Sequence, residues 1–284
     1  MTVLGTRNEI IDALTGAGIE DAESEAVIIL RETAGLSVTD IHTRPDDEIP
    51  ADTYNQIQTI VKRRLMREPL QYIYGRWDFM GLVFNVRPGV LIPRSDTEIL
   101  VESAMRELHS GMRILDLCTG TGCILISLLR YSNDCTGVGV DISEEALSLA
   151  RENAEMILGE SGMFLQGDLY EAVAADDRFD IIVSNPPYIP NSVIETLAPE
   201  VKDHEPHLAL DGGDDGLDLI RRIIDGATDH LIPGGEIYIE IGYDQGESVS
   251  ALMSDAGLVD VEVLQDYAGL DRVVHGHRGI LIRQ

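Results

Sequence analysis

A chain of 284 residues has room for one large domain and one small one, each with its own core. Its hydrophobic fraction of 44% is that of a globular protein, and no apolar run approaches the roughly 18–20 residues that a membrane helix needs, so no membrane partner is expected. The formal charge of −29, from 21 basic and 50 acidic residues, repels phosphate backbones and argues against nucleic acid as the main partner.

The start, Met1 to Glu20, lacks a basic region followed by an apolar run, so the cytoplasm is the expected compartment. Cys118, Cys123 and Cys135 form no CxxC pair and no metal-ligand spacing, and read as packed thiols in a reducing cell. Lysine occurs only at Lys62 and Lys202. The run Lys62 to Arg67 is the one candidate basic patch, and a solvated helix face explains it equally well. The acid excess with few lysines also fits a salt-rich cytoplasm.

In chain order, residues 1 to about 70 read as helical. Ile10, Ile11 and Leu14 recur at helical spacing, as do Ala26, Val27, Ile29 and Leu30. Asp52 or Thr53 is placed to cap a third helix carrying Ile57, Ile60, Val61 and Leu65, which Pro69 stops. Residues 72–92 are rich in strand formers, from Tyr72 to Val86 with a turn at Gly81, and predict a β-hairpin linker.

From Asp96 onward helices and strands alternate. Strands are expected at 113–117, 136–140, 163–166, 181–184 and 236–241, with helices at 97–108, 123–131, 144–158 and about 216–231. Residues 258–264 and 272–282 read as a closing antiparallel pair. Repeated strand–helix units imply an α/β fold, a mainly parallel sheet covered on both faces, with ligands beyond the C-terminal strand ends. The expected division is therefore 1–71 helical, 72–92 linker and 93–284 catalytic.

Two segments at those strand ends carry chemistry. The first is Asp116-Leu117-Cys118-Thr119-Gly120-Thr121-Gly122, whose glycines allow a sharp turn and close approach of a ligand. It is neither GxGxxG nor a phosphate loop, and no lysine follows it. Asp141 ends the next strand, where a carboxylate can accept both ribose hydroxyls. Asp168, ending the third strand, can accept an adenine amino group while Leu169 packs on the ring; a helix cap is the plainer reading of Asp168. A pyrophosphate wants helix amides and no nearby anion. A sulfonium with an amino group tolerates acids such as Asp116, so the layout favours S-adenosylmethionine over a dinucleotide.

The second segment is Asn185-Pro186-Pro187-Tyr188, directly after a buried strand. Two prolines cannot continue a ladder, so they fix the local carbonyls. An amide or conjugated amino nitrogen is a poor nucleophile because its lone pair is delocalised. The Asn185 side-chain oxygen and the Pro186 carbonyl can accept its two hydrogens, and Tyr188 can pack on the planar group. This chemistry fits a glutamine amide or an adenine amine equally.

The chain resembles the HemK-type protein-(glutamine-N5) methyltransferases over nearly its whole length. The resemblance rests on Glu68-Pro69-Leu70-Gln71-Tyr72-Ile73-Tyr74-Gly75, Ile92-Pro93-Arg94-Ser95-Asp96-Thr97-Glu98, the loop at 116–122, Asn185 to Tyr188, Glu205-Pro206 with Leu210 to Gly216, and Arg272-Val273-Val274. It implies a seven-stranded class I methyltransferase domain behind a helical domain that docks a peptide chain release factor, whose Gly-Gly-Gln glutamine is methylated. By the same resemblance, Cys118, Thr119, Gly120, Thr121, Gly122, Asp141 and Asn185 line the cofactor, and Asn185 to Tyr188 grip the substrate. Arg94 either borders the pocket or pairs with Asp96 or Glu98. Cys118 stands where the family usually has glycine, which a small side chain tolerates at negative φ; Leu169 stands where an aromatic is frequent.

Two rivals remain at this stage. An adenine-N6 nucleic-acid methyltransferase would need a flipped base and cations on the backbone, against which the charge stands. A non-catalytic module is opposed by the intact Asn185 to Tyr188. His275 and His277 fall on one strand face without further ligands, and Asp211 to Asp215 lacks the spacing of a calcium loop, so no metal is expected.

Overall fold

The computed structural model describes residues 1–160 and 163–280. The chain divides into two compact units, Met1–Gly75 and Arg76–Gln284.

The first unit is helical: α1 (Val3–Gly16), α2 (Ala22–Ala34), α3 (Val38–Thr43), α4 (Ala51–Leu65) and α5 (Leu70–Tyr74). The apolar periodicity becomes its core, with Ile10, Leu14, Ala26, Ile29, Leu30 and Ile57 essentially without solvent contact. Local chemistry sets the ends. Thr2 caps α1 by accepting from the Gly5 N–H, Ser37 and Asp40 form a reciprocal capping box on α3, and Gly35 in the left-handed region closes α2. The expected caps of α4 are displaced: Pro50 takes the N-cap position and Asp52 sits in the first turn. That position still favours a carboxylate against the helix dipole.

The basic run is absorbed within this unit. Arg64 is buried and forms a bidentate pair with Glu25, at 2.7 and 3.0 Å, joining α4 to α2. Arg63 pairs with Glu68, and Arg67 donates to the Ala17 carbonyl. Half of the run therefore serves internal contacts, which neither the patch nor the solvated-face reading anticipates.

The second unit opens with a hairpin, β1 (Arg76–Phe79) and β2 (Leu82–Asn85), shorter than the expected 72–92. Tyr72 and Tyr74, expected in strands, lie in α5, because Pro69 starts a helical turn that Gly75 ends at φ 70°. Met80 and Gly81 both have positive φ, the pattern of a two-residue hairpin turn whose twist matches its strands.

A 3-10 turn (Ser95–Thr97) leads into α6 (Glu98–Glu107), then β3 (Arg113–Leu117), α7 (Cys123–Tyr131), β4 (Thr136–Asp141), α8 (Glu144–Leu158), β5 (Phe164–Gln166) and β6 (Phe179–Ser184). The short helices α9 (Asn191–Ile194) and α10 (Pro199–Lys202) precede α11 (Asp218–His230). Then come β7 (Leu231–Glu240), α12 (Gly246–Asp255), β8 (Leu258–Gln265) and β9 (Asp271–Arg278). The last expected strand was to reach Ile282, which lies outside the described residues.

Seven strands form one sheet in the order β5-β4-β3-β6-β7-β9-β8. β5 to β7 are mutually parallel, and β8 and β9 are antiparallel, as the closing pair predicts. Alternation along the strands feeds two cores. Ile114, Ile181, Val183, Tyr238 and Val273 pack with α6, α7 and α8, while Leu115, Ile182, Ile237, Ile239 and Val274 pack with α11 and α12. The chain runs outward from β3 to β5 and returns at β6 beside β3. That reversal is a topological switch point, and the ends of β3 and β6 open a crevice there. No described helix is long and apolar enough to cross a membrane.

Candidate active site

The loop after β3 lies at this crevice. Asp116 is fully buried; its Oδ2 accepts from the Thr119 hydroxyl at 2.6 Å, and its Oδ1 has no hydrogen-bond partner among the described residues. Burial pushes its pKa up to about 7. The Gly120 N–H donates to Asp141 Oδ2 and the Ser143 N–H to Asp141 Oδ1, each at 2.9 Å. Asp141 thus ties the loop to the end of β4 while each oxygen keeps a lone pair. Burial raises the Asp141 pKa, and these amides oppose the rise.

Cys118, Gly120 and Asp141 line a cavity of about 500 Å3. Its other walls include Gly89 to Leu91, Ile142, Ser143, Ala146, Gly167 to Leu169 and Pro206 to Ala209. Thr119, Thr121 and Gly122, expected to line the cofactor, are set behind it and hold the loop's shape. Both threonines are buried, and a Cβ on Gly122 would meet Ile126 at 2.8 Å. Cys118 departs from the negative φ expected of it: φ is 60°, a left-handed conformation costing about 1–2 kcal/mol for a side-chain-bearing residue.

Asp168 also differs from its reading as a helix cap. Its carboxylate makes no cap hydrogen bond and pairs with Arg222 at 2.9 Å on the cavity wall. Leu169 lines the cavity beneath it at φ 52°. Sequence reading missed Arg222, which arrives from α11, far along the chain.

The residues fit S-adenosylmethionine. A Cβ on Gly120, at φ 56°, would meet nothing within 4 Å, so the backbone edge there is open to a ligand. Asp141, Asp168 and Asp211 face the cavity against Arg222 as its one arginine or lysine, which suits a ligand bearing a sulfonium and an amino group. The volume is that of a site for a drug-sized molecule.

Ser184 ends β6 with its hydroxyl bonded to the Leu117 carbonyl at 2.7 Å, pinning β6 to β3 just before the motif. The Asn185 Nδ2 donates to the buried Thr97 hydroxyl at 3.1 Å. This leaves Asn185 Oδ1 and the Pro186 carbonyl as acceptors without partners among the described residues. Asn185 lines both the large cavity and a second one of about 210 Å3, whose walls include Arg94, Pro186, Tyr188 and Glu240. Pro187 lines the first.

The segment 210–216 straps the motif. The Ile189 N–H donates to Leu210 O at 3.0 Å, the Gly212 N–H to Ile189 O at 2.9 Å, and Gln245 Nε2 to Tyr188 O at 3.0 Å. Gly216, at φ 77°, permits this closeness, because a Cβ there would lie 2.3 Å from the Tyr188 carbonyl.

The stretch 92–98 is dispersed over four partners. Arg94 borders the second cavity and pairs with the buried carboxylate of Glu205, in place of Asp96 or Glu98. Asp96 lies 3.4 Å from Arg272, which Asp266 also holds at 3.0 Å. Glu98 accepts from the Met80 N–H at 2.6 Å. Thr97 holds Asn185. Glu240 is buried at the end of β7, accepts from the Tyr188 hydroxyl at 3.3 Å, and its burial lifts its pKa to about 7. Thr97 and Glu240 have no role assigned from the sequence; for Glu240 the available signal is a lone acid inside the apolar run Ile237 to Ile241.

His275 and His277 are engaged separately, with Glu236 at 3.2 Å and Asp260 at 2.7 Å. Among the described residues no group of three or more His, Cys, Asp or Glu side chains is arranged to hold a metal.

Comparison with known proteins agrees with this geometry. Residues 6–75 match the PrmC N-terminal domain and residues 108–244 a methyltransferase domain. The chain is 42% identical over 266 residues to the release factor glutamine methyltransferase of Geobacter sulfurreducens, spanning 94% of this chain and 93% of that protein. It is 41% identical over 268 residues to the protein of the same name from Caulobacter vibrioides, spanning 93% and 92%. A solved methyltransferase from Pyrococcus furiosus shares the fold, with a TM-score of 0.53 and 18% identity over 80% of this chain and 99% of that one. Identity at this level, held across both units, means that the chain belongs to the family of release factor glutamine methyltransferases.

Proposed function

We propose that this protein transfers a methyl group from S-adenosylmethionine to the side-chain amide nitrogen of the glutamine in the Gly-Gly-Gln motif of a peptide chain release factor. The observation that carries the reading is the orientation of Asn185: its NH2 is spent on Thr97, so its oxygen is the atom offered to a substrate. A primary amide nitrogen carries two hydrogens. Asn185 Oδ1 accepts one and the Pro186 carbonyl the other, which orients the nitrogen and stabilises positive charge developing on it. Tyr188, held at both its hydroxyl and its carbonyl, provides a flat wall for the amide plane.

Cysteine 118, Gly120, Asp141, Asp168, Leu169 and Asn185 would hold the cofactor, which supplies an electrophilic methyl group on a sulfonium. Asp141 would accept the ribose hydroxyls. Asp168 would reach an adenine amino group on release from Arg222. The helical unit Met1–Gly75 would help dock the release factor.

An adenine amine could present the same two hydrogens, but two arginines of the one basic run available to grip a phosphate backbone, Arg64 and Arg63, are drawn into pairs with Glu25 and Glu68. The test is mass spectrometry of a Gly-Gly-Gln release factor incubated with the protein and methyl donor, beside DNA and RNA. A mass gain of one methyl on the glutamine is expected. Methylated nucleic acid with unmodified glutamine would overturn the reading.

A further inference from the structure

Asn185 and Tyr188 stand at the two ends of the Asn-Pro-Pro-Tyr segment, and both lead to one carboxylate. Strand register pairs Ser184 with Ile239, so the next residues, Asn185 just past β6 and Glu240 at the end of β7, follow side by side. The Tyr188 hydroxyl donates to Glu240 Oε1. The Thr97 hydroxyl accepts from Asn185 and so must send its own hydrogen elsewhere; Glu240 is the acid facing it. Glu240 is 1% exposed and lines the second cavity, and its buried Oε2 has no hydrogen-bond partner among the described residues, so an acceptor stands open on the side of Thr97.

We propose that Glu240 is a positioning residue for methyl transfer: by receiving the Thr97 and Tyr188 hydroxyls it fixes the Asn185 oxygen outward and the Tyr188 ring in place. The proposal deepens the glutamine-methylation reading and rests on it. Its logic is directional. An acceptor-only group at position 240 forces Thr97 to point its hydrogen away from Asn185, and Thr97 can then only accept from the Asn185 amide. A substrate amide consequently meets oxygen and not NH2.

The groups around Glu240 set its response to pH. Arg272 on β9 and the hydroxyls of Thr97 and Tyr188 favour the carboxylate, Asp96 on the 3-10 turn disfavours it, and Cys123 at the start of α7 is neutral. Burial leaves its pKa at about 7. Below that value Glu240 gains a hydrogen of its own and becomes a donor, and the directional chain is broken.

The experiment compares the full chain with Glu240→Gln and Glu240→Asp, using a Gly-Gly-Gln release factor as substrate. Glutamine keeps the shape but can receive only one of the two hydroxyls. The parent protein is expected to show a rise in kcat through pH 7; expected for Glu240→Gln are a 10- to 100-fold lower kcat, S-adenosylmethionine affinity within about threefold, and loss of that rise. Glu240→Asp, still an acceptor, should recover part of the rate. The side-chain amide signal of Asn185 in 15N spectra, measured without substrate, should shift in Glu240→Gln and lose protection from exchange. A parent protein that does not methylate glutamine would overturn the functional reading alone, and the Asn185 signal would still judge Glu240. An unshifted Asn185 signal, or a Glu240→Gln enzyme with the parent's kcat and pH profile, would overturn the proposal.

Discussion

Replacing Thr97 with valine removes a single hydroxyl and keeps the side chain's shape. The Thr97 hydroxyl is the acceptor for Asn185 Nδ2 at 3.1 Å, and Thr97 itself is 1% exposed. An unpaired donor in such a place costs about 1–3 kcal/mol. The protein has two ways to meet that cost. Either the amide stays put and stability falls, or it rotates by 180°, satisfies itself otherwise and presents NH2 to the substrate. If the competent orientation is disfavoured by that amount, turnover falls about 5- to 150-fold. If stability absorbs it, Tm falls by about 2–4 °C per kcal/mol for a unit of this size. Initial rates of methyl transfer, thermal melts and calorimetric titration with S-adenosylmethionine separate the two. Cofactor affinity should change little, because Asp141 and the loop after β3 are untouched. A Thr97→Val protein with both kcat and Tm equal to the parent's would refute the claim that this hydroxyl orients Asn185.

Three further outcomes are expected. Asn185→Ala should lower kcat at least 100-fold, the scale seen when a preorganised dipole is lost from a transition state, with cofactor affinity nearly intact; near-normal turnover would remove Asn185 from the chemistry. Asp116 keeps its proton in the folded chain up to about pH 7, whereas the unfolded chain releases it near 3.8, the ordinary value of an aspartate. Its contribution to stability is therefore complete below pH 4 and is lost as pH rises to 7, by at most about 4 kcal/mol. Asp116→Asn does not titrate, so its Tm relative to the parent should be higher at pH 8 than at pH 4.5, and a pH-independent difference would contradict the assignment. Finally, 50 acidic against 21 basic residues repel one another at low ionic strength. Raising salt from 0.05 M to 1 M should raise Tm, and a flat response would show that local pairing already neutralises the repulsion.

What the sequence made legible followed from local signals. β3 and α7 fall at the expected residues because an apolar run meets a glycine loop there, and α8 starts where Ser143 caps it. Asn185 to Tyr188 and Asp141 come to the crevice because the first follows β6 directly and the second ends β4, strands whose direction the alternating pattern sets. The failures have local causes too. Tyr72 and Tyr74 have strand propensity, but the Pro69 and Gly75 boundaries enclose one helical turn. The helix α12 passed unread because its apolar residues are few and Gly246 opens it. Cys118 adopts positive φ in a loop held on its far side by Thr119 on Asp116 and Gly120 on Asp141, contacts that the sequence does not report. The partners of Asn185, Asp168 and Arg94 lie 88, 54 and 111 residues away, at Thr97, Arg222 and Glu205, so no periodicity or spacing could report them.

The two cavities have only Leu91, Asn185 and Ala209 in common among their lining residues. One is built from the ends of β3, β4 and β5, the other from the turn at Arg94, Leu197 before α10, Val201 within it, and Glu240. The partition separates two evolutionary problems. On the assignment proposed above, changes around Leu197, Val201 and Leu210 would alter which molecule is accepted, while the cavity proposed for the methyl donor keeps its shape. A lineage could therefore drift in substrate and retain its chemistry, with Asn185 as the shared polar side chain that serves both cavities.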